Sequence, residues 1–313
     1  MAGQALNPPR AVARPASSLT ISARRRLWNR ATYVTFAACA MALVVVIVAI
    51  VIFISSKGLA TFFKNKVSLG TFLFSTEWRP DEQPAQIGAA TFIAGSLEVT
   101  FLAILISTPL SIAAALFLTE VGPKWAQSVL QPAVELFVGI PSVVYGWVAL
   151  SVLVPLIRNH VGGLGFSVLA GCTVLSIMAL PTVTTVATDA IRALPVGLKE
   201  ASYGLGATRW QTLSRVLLPA ALPGLLTAVI LGMARAIGEA LAVQMVIGNT
   251  QIIPRHLTDR ATTLTSIITL DMGNTVSGTR WNNALWSMAM LLLLIALALI
   301  LTIRVVSARR VYR

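Results

Sequence analysis

Residues 223–248, PGLLTAVILGMARAIGEALAVQMVIG, form an apolar stretch that carries two ionisable side chains, Arg235 and Glu239. A helix that crosses a bilayer needs about 20 mostly apolar residues, so the stretch predicts a membrane span. Each charge costs about 2.5 to 3.5 kcal/mol at the bilayer centre, and such groups usually face a bundle interior or an aqueous path. On one continuous helix the two residues share a face, which predicts an ion pair. That pair either fixes helix packing or keeps a cation available inside the membrane, and the planar guanidinium of Arg235 suits an oxyanion.

The rest of the chain is as apolar as this stretch. Of its 313 residues, 56% are hydrophobic and 11% are charged, whereas a soluble domain carries about 25% charged residues. Irregular backbone cannot face lipid, so the composition predicts an all-α integral membrane protein with six transmembrane helices rather than a barrel. The five further spans are expected at 33–54, 94–118, 131–157, 165–188 and 283–304.

The distribution of Lys and Arg predicts the topology. With six spans both termini lie on one side, and that side holds most of the 24 basic residues. An excess of Lys and Arg marks the cytoplasmic face, so both termini are expected in the cytoplasm. The net charge of +13 is therefore read as a topology signal, with lipid rather than nucleic acid as the partner. The expected divisions are a basic, disordered arm (1–30), the first span with an outer loop (31–93), a core (94–304) that contains a cytoplasmic loop (190–222), and a basic tail (305–313).

Chemistry-bearing motifs are missing from the sequence. There is no Gly-Lys dipeptide and hence no phosphate loop of the GxxxxGK[ST] type, so the chain is not expected to hydrolyse ATP by that route. Cys39 and Cys172 both fall in apolar spans and suggest neither a disulfide framework nor a metal site. We expect no catalytic residue, no metal and no cofactor.

The third expected span contains signs of a break. It includes Glu135 and the cluster Gly139, Ile140, Pro141 and Ser142. Proline removes a helix donor and clashes with the preceding turn. Broken membrane helices are tolerated only against protein or a water-filled cavity, so the cluster predicts the lining of a pathway, although a packing kink stays possible.

The expected loop between the fourth and fifth spans is too patterned for a simple connector. Pro195 can start a helix, Glu200, Ala201 and Ser202 follow, and Gly206 can end it. The next segment, TRWQTLSRVLLP, is amphipathic, with Trp210, Leu213, Val216 and Leu217 on one face. Such helices fit a partner's groove or lie on lipid.

One stretch of this loop resembles the EAA loop of ABC importer permeases. It consists of Glu200-Ala201-Ser202, three residues, Gly206, nine residues, Val216, and then Leu218 and Pro219. Ser202 stands where the motif has a second Ala, and Val216 stands where it has Ile. Three stretches together resemble the phosphate-importer permeases, and among them the PstC type. These stretches are 135–146, 199–219 and 235–250.

This resemblance implies a type I ABC importer permease fold in the bacterial plasma (inner) membrane. It implies ATPase coupling through Glu200, Ala201, Ser202, Gly206, Leu218 and Pro219. Its expected partners are a PstA-like sister permease, PstB-like ATPase subunits that hydrolyse ATP, and a PstS-like phosphate-binding protein. The substrate pathway is expected at Arg235, Glu239, Glu135, Gly139, Pro141 and Ser142.

The function expected from these features is that of the translocation subunit of an ATP-driven importer of inorganic phosphate. A permease for another oxyanion or small solute is the alternative. A membrane sensor or channel without transport activity is the remote alternative.

Overall fold

The computed structural model describes the backbone of residues 23–311 and the side chains of residues 28–302, 304 and 305. Residues 1–22, most of the basic arm expected from the sequence, lie outside the described range. The described chain is helical apart from one short hairpin and the connecting loops. The α-helices are α1 Ala23–Phe63, α2 Leu69–Phe74, α3 Ala90–Leu116, α4 Lys124–Gly139, α5 Ser142–Val148, α6 Val154–His160, α7 Val168–Arg192, α8 Val196–Gly204, α9 Arg209–Thr212, α10 Leu218–Ile237, α11 Leu241–Val246, α12 Leu264–Asp271 and α13 Arg280–Val311.

Three π-helical segments and one 3-10 turn join these helices, and the hairpin pairs two short strands. The π segments are Phe117–Val121, Ala149–Leu153 and Leu213–Leu217, and the 3-10 turn is Met272–Asn274. In the hairpin, β1 Trp78–Arg79 pairs antiparallel with β2 Gln86–Ile87.

Six helical segments in the described residues are long and apolar enough to cross a membrane. The all-helical architecture with six spans is therefore confirmed. The cytoplasmic placement of the termini stays a prediction. The spans are Trp28–Phe63, Ala90–Val121, Ser142–His160, Val168–Arg192, Arg209–Ile237 and Arg280–Thr302.

Two expected span boundaries are wrong. Helix α1 begins at Ala23, and the expected division of the chain at residue 30 stays a prediction. The third span runs over Ser142–His160 rather than 131–157, because α4 ends before Pro141. The fifth span runs over Arg209–Ile237 rather than 223–248, since the segment after Thr208 continues directly into it.

Residues up to Ile52 form one unit, whose described part is the first portion of α1. Its apolar side chains, among them Val44 and Ile47, are exposed. Such a surface suits contact with lipid.

The second unit begins at Phe53, and its centre is formed by α3, α7 and α10. Helix α10 meets α7 along a row of small residues spaced by four, Gly224, Ala228, Gly232 and Ala236. A Cβ at Gly224 or Gly232 would collide with Ala190 or Val183 of α7. Small residues let membrane helices approach closely, which explains this contact without large side chains.

A separate apolar cluster packs α2, the hairpin and α12 against the start of α13. Asp271 ties it together, because its Oδ2 accepts the indole N–H of Trp78 and of Trp281, each at 3.2 Å. The end of α1 joins this unit through Ser287, whose Oγ donates to the Gly58 carbonyl at 2.7 Å.

Candidate functional site: two helix breaks beside α7

The helix break that separates Arg235 from Glu239 is the centre of the candidate site. Helix α10 ends at Ile237 and α11 begins at Leu241, so the two residues do not share the face of one helix. Among the described side chains they form no ion pair with each other. The expected ion pair is therefore wrong.

Each of the two charges instead lies at a helix end that favours it. Arg235 is in the last turn of α10, and Glu239 Oε1 accepts the backbone N–H of Ala242 at 3.1 Å at the start of α11. A helix C-terminus attracts a cation and a helix N-terminus attracts an anion. Arg235 donates from Nη1 to Thr182 Oγ1 of α7 at 3.3 Å. Thr265 Oγ1 of α12 donates to the Glu239 backbone carbonyl at 2.8 Å.

The break expected near Pro141 is present. Helix α4 ends at Gly139, Pro141 caps α5, and Ser142 is its first residue. Tyr145 spans the gap, since its hydroxyl donates to the Phe137 carbonyl at 2.9 Å. The same carbonyl, near the end of α4, also accepts the backbone N–H of Ile140 at 3.4 Å.

Packing of α5 on α11 brings the two breaks together. A Cβ at Gly146 of α5 would lie 2.9 Å from Ala242 Cα and 2.8 Å from Met245 Sδ. Glycine is needed here for the close approach.

Glu135 lies on α4 beside a small polar cavity of about 100 Å³. It accepts a hydrogen bond from Gln131 Nε2 at 3.2 Å. The opposite wall belongs to α7. Its lining residues there are Thr184, Thr185, Thr188 and Asp189.

Sequence reasoning missed the contribution of α7. The hydroxyls of Thr184 and Thr188 are buried without a hydrogen-bond partner among the described residues. Thr182, on the same helix, accepts a hydrogen bond from Arg235. The signal was the threonine-rich run PTVTTVATD at 181–189 within an apolar span. This run gives α7 one threonine that contacts Arg235 and two others that line the Glu135 cavity with Thr188.

The EAA-like segment forms α8 as expected. Pro195 caps it, and Gly206 follows its end with φ of +81°, a conformation that favours glycine. Glu200 and Ala201 are exposed, and no atom of the described residues lies within 4 Å of a Cβ placed on Gly206. This surface is open.

Ser202, the departure from the motif, is buried and explained by the structure. Its Oγ lies 2.9 Å from Thr212 Oγ1, so the hydroxyl replaces an apolar contact with a hydrogen bond to the next helix. Leu218 and Pro219 begin α10 and lie in the same continuous helical segment, Arg209–Ile237, as Thr212. Of the face expected from TRWQTLSRVLLP, Leu213 and Leu217 are buried, Val216 is half-buried and Trp210 is exposed.

A loop at the other end of α7 covers the start of that helix. The carbonyls of Leu257 and Asp259 accept the N–H groups of Leu169 and Val168 at 2.8 and 2.9 Å. The Asp259 carboxylate accepts the backbone N–H of Arg255 and of His256, each at 2.9 Å, and these bonds lower its pKa. Both donors stabilise the charged form.

Comparison with known proteins gives the family. Residues 107–312 match the family described as "Binding-protein-dependent transport system inner membrane component". The chain is 54% identical to "Probable ABC transporter permease protein YqgH" of Bacillus subtilis, over 87% of this chain and 89% of that protein. It is 35% identical to "Phosphate transport system permease protein PstC" of Pasteurella multocida, over 73% of this chain and 78% of that protein.

A solved structure supports the same fold. In the crystal structure of a bacterial alginate ABC transporter with its alginate-bound periplasmic protein, one chain matches with a TM-score of 0.64 at 19% identity, over 91% of this chain and 98% of that one. Permeases of this kind work with a second permease, separate ATPase subunits that hydrolyse ATP, and a substrate-binding protein. The chain therefore belongs to the binding-protein-dependent transport family, as a multi-pass inner-membrane permease subunit of an ABC importer.

Proposed function

We propose that the imported substrate is inorganic phosphate and that the partners are PstA-like, PstB-like and PstS-like. Relatives named PstC support this proposal, among them those of Pasteurella multocida and Xylella fastidiosa at 32–35% identity. The resemblance of residues 135–146, 199–219 and 235–250 to PstC-type permeases supports it as well.

The proposal rests on the location and contacts of the Arg235 guanidinium. Its guanidinium lies in a membrane span, bonds Thr182, and has no carboxylate partner among the described residues. A guanidinium offers five donors in a planar fork that matches an oxyanion. Arg235 with Thr182 is thus a transit contact for phosphate, and the break that contains Gly139, Pro141 and Ser142, with Glu135, lines the path beside it.

Glu239 sets the selectivity in this proposal. One carboxylate oxygen accepts the Ala242 N–H, which leaves the other available. That oxygen can accept a hydrogen bond from a P–OH group. Sulfate at neutral pH carries no such proton and would place two anions against each other. A buried group left unpaired in this way discriminates strongly between similar ligands.

Transport would follow the order of the elements. The binding protein delivers phosphate at the outer loops 55–93 and 249–282. ATP binding closes the partner ATPases against α8, with contacts at Glu200, Ala201 and Gly206. Movement of α8 is passed to α10 through the continuous helical segment Arg209–Ile237. Arg235 lies near the end of α10.

Radiolabelled phosphate uptake in cells with the gene deleted and then restored tests the proposal. Arg235→Gln should lower uptake about a hundredfold, because two charge-assisted hydrogen bonds contribute about 3 kcal/mol. Arg158→Gln, on the exposed end of α6, is the matched control and should transport normally.

Competition separates the substrate from the alternatives. Unlabelled arsenate, which keeps a hydroxyl, should compete with phosphate, and sulfate should not. Glu239→Gln should admit sulfate more than arsenate. Restoration of sulfate or sugar uptake without phosphate uptake would contradict the substrate assignment, and normal transport by Arg235→Gln would place the transit site elsewhere.

A further inference from the structure

Glu120, in the π-helical turn that continues α3, is contacted from two other segments of the chain. Its carboxylate forms an ion pair with Lys199 Nζ on α8, and its backbone carbonyl accepts a hydrogen bond from the Arg209 guanidinium at the start of α9. The Glu120 side chain is 15% exposed and the Lys199 side chain 37%. One residue thus joins α3, α8 and α9.

Among the described residues, α8 has few other contacts that would hold it in place. Val196 and Leu198 are exposed, and Leu205 just after the helix is 90% exposed, so burial of apolar surface contributes little there. The second described polar link is the buried hydroxyl pair of Ser202 and Thr212. Two polar links, one to α3 and one to α9, therefore set the position of α8.

The segment that carries Glu120 is a π-helical turn, Phe117–Val121. It closes with the Gly122 N–H on the Phe117 carbonyl at 2.7 Å. Such turns are rare and frequently lie at functional sites. Lys199 immediately precedes Glu200, the first residue of the EAA-like motif, so the ion pair lies at the edge of the open surface of α8.

We propose that Glu120 is a positioning residue, which transmits displacement of α8 to α3 through its ion pair with Lys199. The proposal rests on the coupling role of α8 given above. Without the pair, α8 keeps only its link to α9, so its movement reaches α10 directly but reaches α3 only indirectly, through the hydrogen bond from Arg209 to the Glu120 carbonyl. ATP is then hydrolysed with fewer substrate molecules moved.

The first test measures coupling in the full complex with its binding protein, reconstituted in vesicles. Glu120→Gln and Lys199→Gln should each lower the phosphate moved per ATP hydrolysed roughly fivefold, the upper range for a partly exposed ion pair. The double variant should be no worse than either single one, because both remove the same bond. Lys124→Gln, an exposed lysine at the start of α4, is the control and should keep the wild-type ratio.

An unchanged ratio in both single variants overturns the proposal. So do additive losses in the double variant, because they would mean that the residues act separately. Equal falls of hydrolysis and uptake would indicate a merely structural role and would overturn it too.

A second measurement does not depend on the substrate. Val121, next to Glu120, is 45% exposed. With Cys39 and Cys172 replaced, Val121→Cys should react with a water-soluble thiol reagent at a rate that changes when ATP and vanadate trap the ATPases, and Lys199→Gln should remove that change. The same response with and without Lys199→Gln, or no response in either, overturns the inference. If phosphate fails to drive transport while this response is present, the proposed substrate fails and the inference stands.

Discussion

The two helix breaks differ in what makes them. The break after Gly139 is local: Pro141 cannot continue the helix, and the Tyr145 hydroxyl donates to a carbonyl near the end of α4. The break at 238–240 contains no proline, and Gly238 has φ of −87°, which any residue adopts. There the cation ends one helix and the anion starts the next. A helix at the end of a membrane span can therefore stop either because of proline or where two opposite charges each favour a separate helix end.

The comparison shows that the order of the two charges along the chain matters. In a continuous helix an acidic residue four positions before a basic one is the favourable arrangement, and the reverse order is poorer. Arg235 precedes Glu239, so the pair is poorly placed on one helix and well placed across a break. The same two residues thus indicate an interruption rather than an ion pair.

The charge exchange Arg235→Glu with Glu239→Arg tests this interpretation most severely. It would place an anion at the C-terminus of α10 and a cation at the N-terminus of α11, so we expect destabilisation of about 2 to 4 kcal/mol. The measurement is the thermal unfolding midpoint of the purified complex. The control is the neutral pair Arg235→Gln with Glu239→Gln, which should be more stable than the exchange. An exchange as stable as the wild type would restore the ion-pair interpretation.

Gly146→Ala tests whether the two breaks must touch. The new Cβ would meet Ala242 Cα at 2.9 Å and force α5 from α11. Overpacking of this kind costs about 1 to 3 kcal/mol. Recovery of folded complex from membranes measures the effect. Gly70→Ala, where no atom lies within 4 Å of the new Cβ, should be harmless, and equal recovery of both variants would show that α5 and α11 are not tightly packed.

Glu239→Ala compared with Glu239→Gln asks which property of Glu239 maintains the second break. Glutamine keeps an oxygen that can accept the Ala242 N–H, whereas alanine leaves that donor unsatisfied. Loss of a helix cap costs about 1 kcal/mol. The Glu239→Ala variant should therefore unfold at a lower denaturant concentration than the Glu239→Gln variant. If glutamine were as damaging as alanine, the charge and not the hydrogen bond would hold the break.

These differences explain what the sequence could and could not predict. Six spans, the Pro141 break and α8 follow from local patterns, because apolar length, proline and a helix start act within a few residues. At the 238–240 break, Thr265 of another helix bonds the Glu239 carbonyl, and α8 is anchored by Glu120, far away in the chain. The role of Ser202 becomes clear only beside Thr212. Contacts of this kind have no local signature, although the order of Arg235 and Glu239 and the threonine run of α7 were available.

Tyr145→Phe should weaken the first break only slightly. It removes the hydroxyl that donates to the Phe137 carbonyl and leaves the ring in place. Side-chain hydrogen bonds inside membrane proteins average about 0.6 kcal/mol. Thermal unfolding checks this, with Tyr33→Phe on the exposed face of α1 as the control. A loss several times larger would mean that the hydroxyl, and not Pro141, maintains the break.

Gly139→Ala should have the smallest effect on stability, and its sign should be opposite. No atom lies within 4 Å of a Cβ at this position, and its backbone has no positive φ. Alanine in place of glycine stabilises by about 0.4 to 1 kcal/mol where the conformation permits it, through the unfolded chain. The unfolding midpoint should therefore stay the same or rise. Open space at a helix break that adjoins a membrane span is what a pathway lining requires, so phosphate uptake should fall in this variant although its fold is intact. Uptake that remained normal in Gly139→Ala, and again in the bulkier Gly139→Val, would leave the first break as a packing feature and confine the path to the side of Arg235.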